Sequence, residues 1–219
     1  MSEHTGSHPH GGGPLERSGP SIEDARATLL LLHGRGATGR GMLRVGRQVA
    51  GEDVALLAPE AEGQTWYPRS FLAPRTSNQP KLDSALRRVD ELLTLISTEG
   101  GSPETTVIAG FSQGACLALE YGARHPRRYG AIIAWSGGLI GPEGSEFEFS
   151  GDLNGTPVYL GCGDRDAHIP VERVRESEAA FRQLGGEVTT QIFEGMDHRI
   201  NDEELLAARE RIAAIPSGD

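Results

Sequence analysis

Six short apolar runs separated by segments of helical pattern constrain this chain more than any other feature. They are Thr28–Leu32, Val54–Ala58, Thr106–Ala109, Ala131–Trp135, Pro157–Leu160 and Val188–Phe193. Most are continuously apolar, the pattern of strands buried on both faces. Between them, Leu82, Leu86, Val89, Leu93 and Ile96 recur at three- and four-residue steps, predicting a helix over Leu82–Thr98. Val171, Val174, Phe181 and Leu184 make a second stripe, closed by Gly185-Gly186 as a C-terminal stop. Ser112–Arg124 and Asp202–Ile212 read as further helices, and Gly41–Ala50 as a weaker one. Strands alternating with helices predict an α/β fold, with a mostly parallel central sheet, helices on both faces and right-handed crossovers. No internal repeat interrupts this reading. Such sheets hold their ligands outside the carboxyl ends of the strands, so the residues just past each run are the ones that matter for chemistry.

A length of 219 residues suits one domain and a tail. Residues 1–20 are rich in Gly, Ser, Pro and His and read as a disordered N-terminal tail, leaving 21–219 as the folded domain. His4, His8 and His10 fall in that tail, where no specific role is expected of them. The start lacks the basic and apolar regions of a secretory signal, and no run approaches the ~18 apolar residues of a membrane span. The net charge is −10, with Lys81 the one lysine beside twenty arginines. That balance repels phosphates and argues against a nucleic-acid partner, and nothing suggests a membrane partner. Cys116 and Cys162 each lie in an apolar stretch and read as small buried hydrophobes rather than a disulfide or metal pair, which fits a reducing, cytoplasmic setting. Two segments break the rhythm. Glu60–Pro80 carries three prolines with Trp66, Tyr67 and Phe71, and Gly141–Thr156 is a second irregular excursion. Long loops in compact domains are often functional.

The segment Gly110-Phe111-Ser112-Gln113-Gly114 matches G-x-S-x-G. The motif alone is weak, but here it follows a strand and opens a helix, which is the setting of a nucleophile elbow. Glycines two residues to either side relieve crowding at a sharp turn. The helix beneath offers unpaired N–H groups and a partial positive charge. A serine hydroxyl attacks only when a base takes its proton. Among the histidines outside the tail, His33 suits loop shaping, and His125 ends a helix before Pro126. His168 reads as a neighbour of the acid loop. His198 stands just past the last strand, where a base can reach an upstream serine. The acid belongs after the preceding strand, in "GCGDRDAHIP", and spacing does not choose between Asp164 and Asp166. The chain order Ser, Asp, His is the one found in α/β-hydrolases. The oxyanion donors expected are the backbone N–H of Gln113 and that of Arg35, in the glycine-rich turn "LLLLHGRGATGRG". That turn matches neither phosphate-binding glycine pattern.

At these blocks the chain resembles the phospholipase/carboxylesterase family of α/β-hydrolases, which includes acyl-protein thioesterases. "LLLLHGRGATG", "APEAEGQTWYP", "GFSQGACLALEYG", "WSGGL", "GCGDRDAHIPVE" and "FEGMDHRI" carry the likeness, and "QTWYPRSFLAP" is similar to the bacterial esterase subgroup. The resemblance implies an α/β-hydrolase fold without a large lid domain. It implies Ser112, Asp166 and His198 as the catalytic triad and the backbones of Arg35 and Gln113 as the oxyanion hole, with no metal or organic cofactor. It further implies a small-molecule ester as substrate, and a monomer or homodimer. Two departures stand out. Arg35 occupies a position that is often small or apolar, which places a cation near the substrate, and Cys162 replaces a usual histidine. Trp66, Tyr67, Phe71 and Leu72 are the candidates for the pocket wall, against the alternative that they pin the loop to the body.

Overall fold

The computed structural model describes residues 8–216. Seven strands form one sheet: β1 (Leu15–Ser18), β2 (Ala27–Leu32), β3 (Val54–Pro59), β4 (Thr106–Phe111), β5 (Ala131–Trp135), β6 (Pro157–Gly163) and β7 (Glu187–Phe193). Their spatial order is β1-β3-β2-β4-β5-β6-β7. Strands β2 to β7 pair in parallel, and β1 pairs antiparallel with β3. The six apolar runs of the sequence are the six parallel strands, extended by one to three residues at some ends.

Five α-helices complete the fold: α1 (Gly39–Val49), α2 (Lys81–Thr98), α3 (Gln113–Arg124), α4 (Val171–Gln183) and α5 (Asp202–Ala213). Strand pleating divides the core between the two faces. Leu30 and Leu32 point to the cluster under α2, α3 and α4, whereas Leu29 and Leu31 point to the cluster under α1 and α5. All four leucines are fully buried. This is why the run is continuously apolar instead of alternating.

The N-terminal segment departs from expectation. Residues 8–20, read as part of a disordered tail, are held against the body, while residues 1–7, including His4, lie outside the described residues. Strand β1 reads "LERS", too short and too polar to be recognised, because an edge strand needs one hydrogen-bonding partner and one buried face. Just before it, His10 is fully buried. Its Nε2 donates to the Trp66 carbonyl at 2.9 Å, and its Nδ1 accepts from the Glu62 amide at 3.1 Å. His8 joins Ser84 at 2.7 Å and Glu91 at 2.8 Å on α2.

The strand order reverses direction around β2. The chain goes from β2 to β3 on one side, then crosses back to place β4 on the other. The carboxyl ends of β2 and β4 therefore flank the switch point of the sheet, where a crevice opens between diverging connections. His33-Gly34 and Ser112 stand there.

Candidate active site

Ser112 links β4 to α3 with φ 54° and ψ −119°. A non-glycine residue at positive φ is strained and is held only by its surroundings. Here the Ser112 amide donates to the Trp135 carbonyl of β5 at 2.9 Å, and its carbonyl accepts from Cys116 at 3.0 Å. The flanking glycines are required sterically. A Cβ on Gly110 would run into the Gly114 carbonyl, and one on Gly114 into the Leu32 carbonyl of β2. Close backbone approach bends the turn tightly enough to lift the hydroxyl clear of the sheet.

His198 Nε2 lies 2.8 Å from Ser112 Oγ, and His198 Nδ1 lies 2.6 Å from Asp166 Oδ2. The carboxylate accepts from Nδ1–H, which leaves Nε2 as the acceptor facing the serine hydroxyl. The other Asp166 oxygen accepts from the amides of His168 at 2.8 Å and Ile169 at 3.0 Å. Burial alone would push the Asp166 carboxyl up. The His198 bond and the two amides outweigh it and hold the group below the ordinary carboxylate value. Asp164, the alternative acid, instead accepts from the Gly195 amide at 2.7 Å. With Arg165 N–H donating to the Met196 carbonyl at 3.0 Å, it stitches the turn after β6 to the turn that carries His198.

The turn after β2 lies against the serine. A Cβ on Gly34 would come within 3.3 Å of Ser112 Cβ. Among the described residues, neither the Arg35 amide nor the Gln113 amide donates to a protein acceptor. His33 shapes this turn as its position suggested. Nδ1 donates to the Gly34 carbonyl at 2.7 Å and Nε2 accepts from Ala61 at 3.0 Å, and burial holds the imidazole below its ordinary pKa.

The 60–80 connection overhangs the serine and is fastened from below. Gln113 accepts from the Trp66 amide at 2.9 Å and donates to the Tyr67 carbonyl at 2.8 Å. The Arg35 guanidinium bonds Thr65 Oγ1 at 2.9 Å and the carbonyls of Tyr67, Pro68 and Arg69 at 2.9, 3.2 and 2.8 Å. The resulting cleft is about 480 Å³ and takes in Ser112, His198, Tyr67, Phe71, Arg35 and Arg69. Of the four candidates for its wall, Tyr67 and Phe71 line it and Trp66 and Leu72 do not. Trp66 is fully buried, donates to the His33 carbonyl at 2.9 Å and packs between the rings of His33 and His10 at 5.0 and 5.5 Å. It pins the loop rather than lining the pocket. Leu72 is half-buried against the core under α2 and α3. Phe111, Cys116, His168 and Ile169 also line the cleft without having been singled out as wall residues. Phe111 and His168 each place a ring 4.8 Å from that of His198. Their sequence positions, one residue before Ser112 and two after Asp166, were the available signal. Cys116 and Cys162 are free and buried, and burial pushes both thiols to about 12, so neither is a thiolate nucleophile near neutral pH.

A mostly parallel seven-stranded sheet, helices on both faces and this row of side chains at the switch point define an α/β-hydrolase. The phospholipase/carboxylesterase family model matches residues 19–215, and the chain belongs to that family of carboxylic ester hydrolases. It is 38% identical to a phospholipase/carboxylesterase from Dyadobacter fermentans, with a TM-score of 0.89 over 94% of this chain and 98% of that one. The esterase PE8 is 30% identical, with a TM-score of 0.76 over 93% of this chain and 98% of that one. Acyl-protein thioesterase 1 of Saccharomyces cerevisiae is 29% identical over 86% of this chain and 92% of its own length. Among the described residues no helix is long and apolar enough to cross a membrane.

Proposed function

We propose that the chain is a serine carboxylesterase acting on small to medium carboxylic esters through an acyl-enzyme. The row Ser112–His198–Asp166, with both links within hydrogen-bond distance, carries this reading. Ser112 Oγ attacks the carbonyl carbon as its proton passes to His198 Nε2. Asp166 fixes the tautomer and stabilises the imidazolium. The amides of Arg35 and Gln113, at the turn after β2 and the start of α3, receive the oxyanion. Collapse of the tetrahedral intermediate expels the alcohol, which takes the proton from His198. Water then attacks the acyl-serine with His198 again as base, releasing the acid and restoring Ser112.

A cleft of about 480 Å³ suits a small ligand, and Tyr67 and Phe71 supply its apolar wall. Thioesters belong to the same reading, since the carbonyl chemistry is shared and one relative is named a thioesterase. All three residues of the row come from one chain, which suits a monomer or a homodimer, and two buried free thiols suit a reducing cytoplasm. The test is Ser112→Ala assayed on a p-nitrophenyl acyl ester, with far-ultraviolet circular dichroism as a folding control. Turnover and labelling by a fluorophosphonate probe are both expected to vanish from a folded protein. Retained turnover in that variant would refute the assignment.

A further inference from the structure

The charge around the cleft runs against that of the whole chain. The protein has thirty-one acidic residues and a net charge of −10. Yet no aspartate or glutamate lines the cleft beside Ser112, whereas Arg35 and Arg69 both do. Asp166 stands behind His198 with its side chain fully buried. The Arg35 guanidinium spends its hydrogen bonds on one hydroxyl and three carbonyls, which satisfy its donors without cancelling its charge. The Arg69 guanidinium is exposed at the cleft and, among the described residues, makes neither an ion pair nor a hydrogen bond. Its place is nevertheless fixed. The Arg69 amide donates to Asn78 Oδ1 at 2.8 Å, and its carbonyl accepts from Arg35. Most other arginines with close acceptors are matched to acids, as Arg17 is to Glu99, Arg26 to Asp53 and Arg182 to Glu178.

We propose that this cleft selects esters bearing a carboxylate or similar anion, and that Arg69 is the residue that recognises it. The inference rests on the esterase reading of Ser112 given above. Two cations among the lining residues, with no acid among them, raise the local concentration of anionic substrate and favour its bound state. Arg69 presents a planar donor fork that a carboxylate can occupy with two parallel bonds. Arg35 supplies a fixed background charge, because its own fork is already occupied. The cleft's apolar side, Tyr67 and Phe71, receives the uncharged part of the ester.

The experiment compares matched pairs on the full chain. Methyl hydrogen succinate against methyl valerate places the anion on the acyl side. 3-Acetoxybenzoate against phenyl acetate places it on the alcohol side. The parent enzyme is expected to favour the anionic member of at least one pair, and the preferred pair identifies which side the anion occupies. Arg69→Gln, which breaks no side-chain bond, is expected to lower that preference about tenfold, mainly through KM, and Arg69→Glu is expected to reverse it. Sodium chloride at about 1 M, where screening acts over about 3 Å, should weaken the parent's preference and leave that of Arg69→Gln nearly level. Equal or better turnover of the neutral member of both pairs, or an unchanged preference in both Arg69 variants, overturns the proposal while leaving the esterase reading intact. Absence of any Ser112-dependent hydrolysis overturns both.

Discussion

At the residue scale, two buried carboxyls, one within the Ser112–His198–Asp166 row and one at the start of α5, respond to pH with opposite sign. Asp166 is held below its ordinary value once its bonds to His198 and two amides outweigh burial. Its stabilisation is therefore present above the unfolded carboxylate pKa and is lost as pH falls through the folded one. Glu204, at the start of α5, is pushed by burial from 4.5 to about 7. One of its oxygens accepts from the Asn201 amide at 2.9 Å, and the other has no partner among the described residues. As pH rises from 4.5 toward about 7, the unfolded chain releases this proton while the folded chain keeps it, so stability declines. Glu204→Gln removes that loss. Urea melts should show the variant gaining on the parent by on the order of 3 kcal/mol between about pH 5 and about pH 8. Parallel stability curves would contradict this. Asp166→Asn keeps the shape but no longer holds Nδ1–H, and kcat should fall about 10³–10⁴-fold with KM little changed, as read from initial rates. The G-x-S-x-G motif in its strand-to-helix setting and the place of His198 past the last strand were enough to single out two side chains that lie 2.8 Å apart. Position after a strand was not enough to separate Asp164 from Asp166, because both sit in one turn and both are used, one to bind a backbone amide and one to bind the histidine.

At the element scale, the parallel strands were legible because burial on both faces makes them continuously apolar. Strand β1 and the segment before it were not. Their contacts join His10 to Glu62 and Trp66, more than fifty positions away, and no local pattern records such a partnership. Trp66 was left open between wall and pin for a related reason. An aromatic in a long loop can face a cleft or the body, and the rings of His33 and His10 and the His33 carbonyl turn it to the body. The segment holding His10 thus acts as a strap across the back of the loop that walls the cleft. His10→Ala would leave the buried Trp66 carbonyl without its donor and the part-buried Glu62 amide without its acceptor, a loss of about 1–3 kcal/mol. Denaturant melts should register that loss, and limited proteolysis should cut faster within 60–80. Unaltered stability together with unaltered cleavage would show that the strap is dispensable.

At the scale of the whole molecule, one sheet joins two apolar clusters that lie on opposite faces. Trp66 belongs to one and Trp135 to the other, and both are fully buried. Shared strands should make the two faces unfold as one unit. In Trp66→Phe and Trp135→Phe, each retaining a single reporter, the fluorescence midpoint in denaturant should coincide with the circular-dichroism midpoint of the same variant. A Trp66 signal lost well before the helical signal would reveal a face that melts alone.

The seating of the nucleophile has a longer-range consequence. Ser112 is held in place by main-chain neighbours: the Trp135 carbonyl, and the two glycines that press against Gly114 and Leu32. The wall above it is a separate piece of chain fastened by the side chains of Arg35, Gln113 and His10. Arg35 and Gln113 are also the two residues whose amides are proposed to receive the oxyanion, so the overhang and the turn beneath it are mechanically coupled. Replacing the overhanging segment would therefore disturb the anchors beside Ser112 as well as the wall above it.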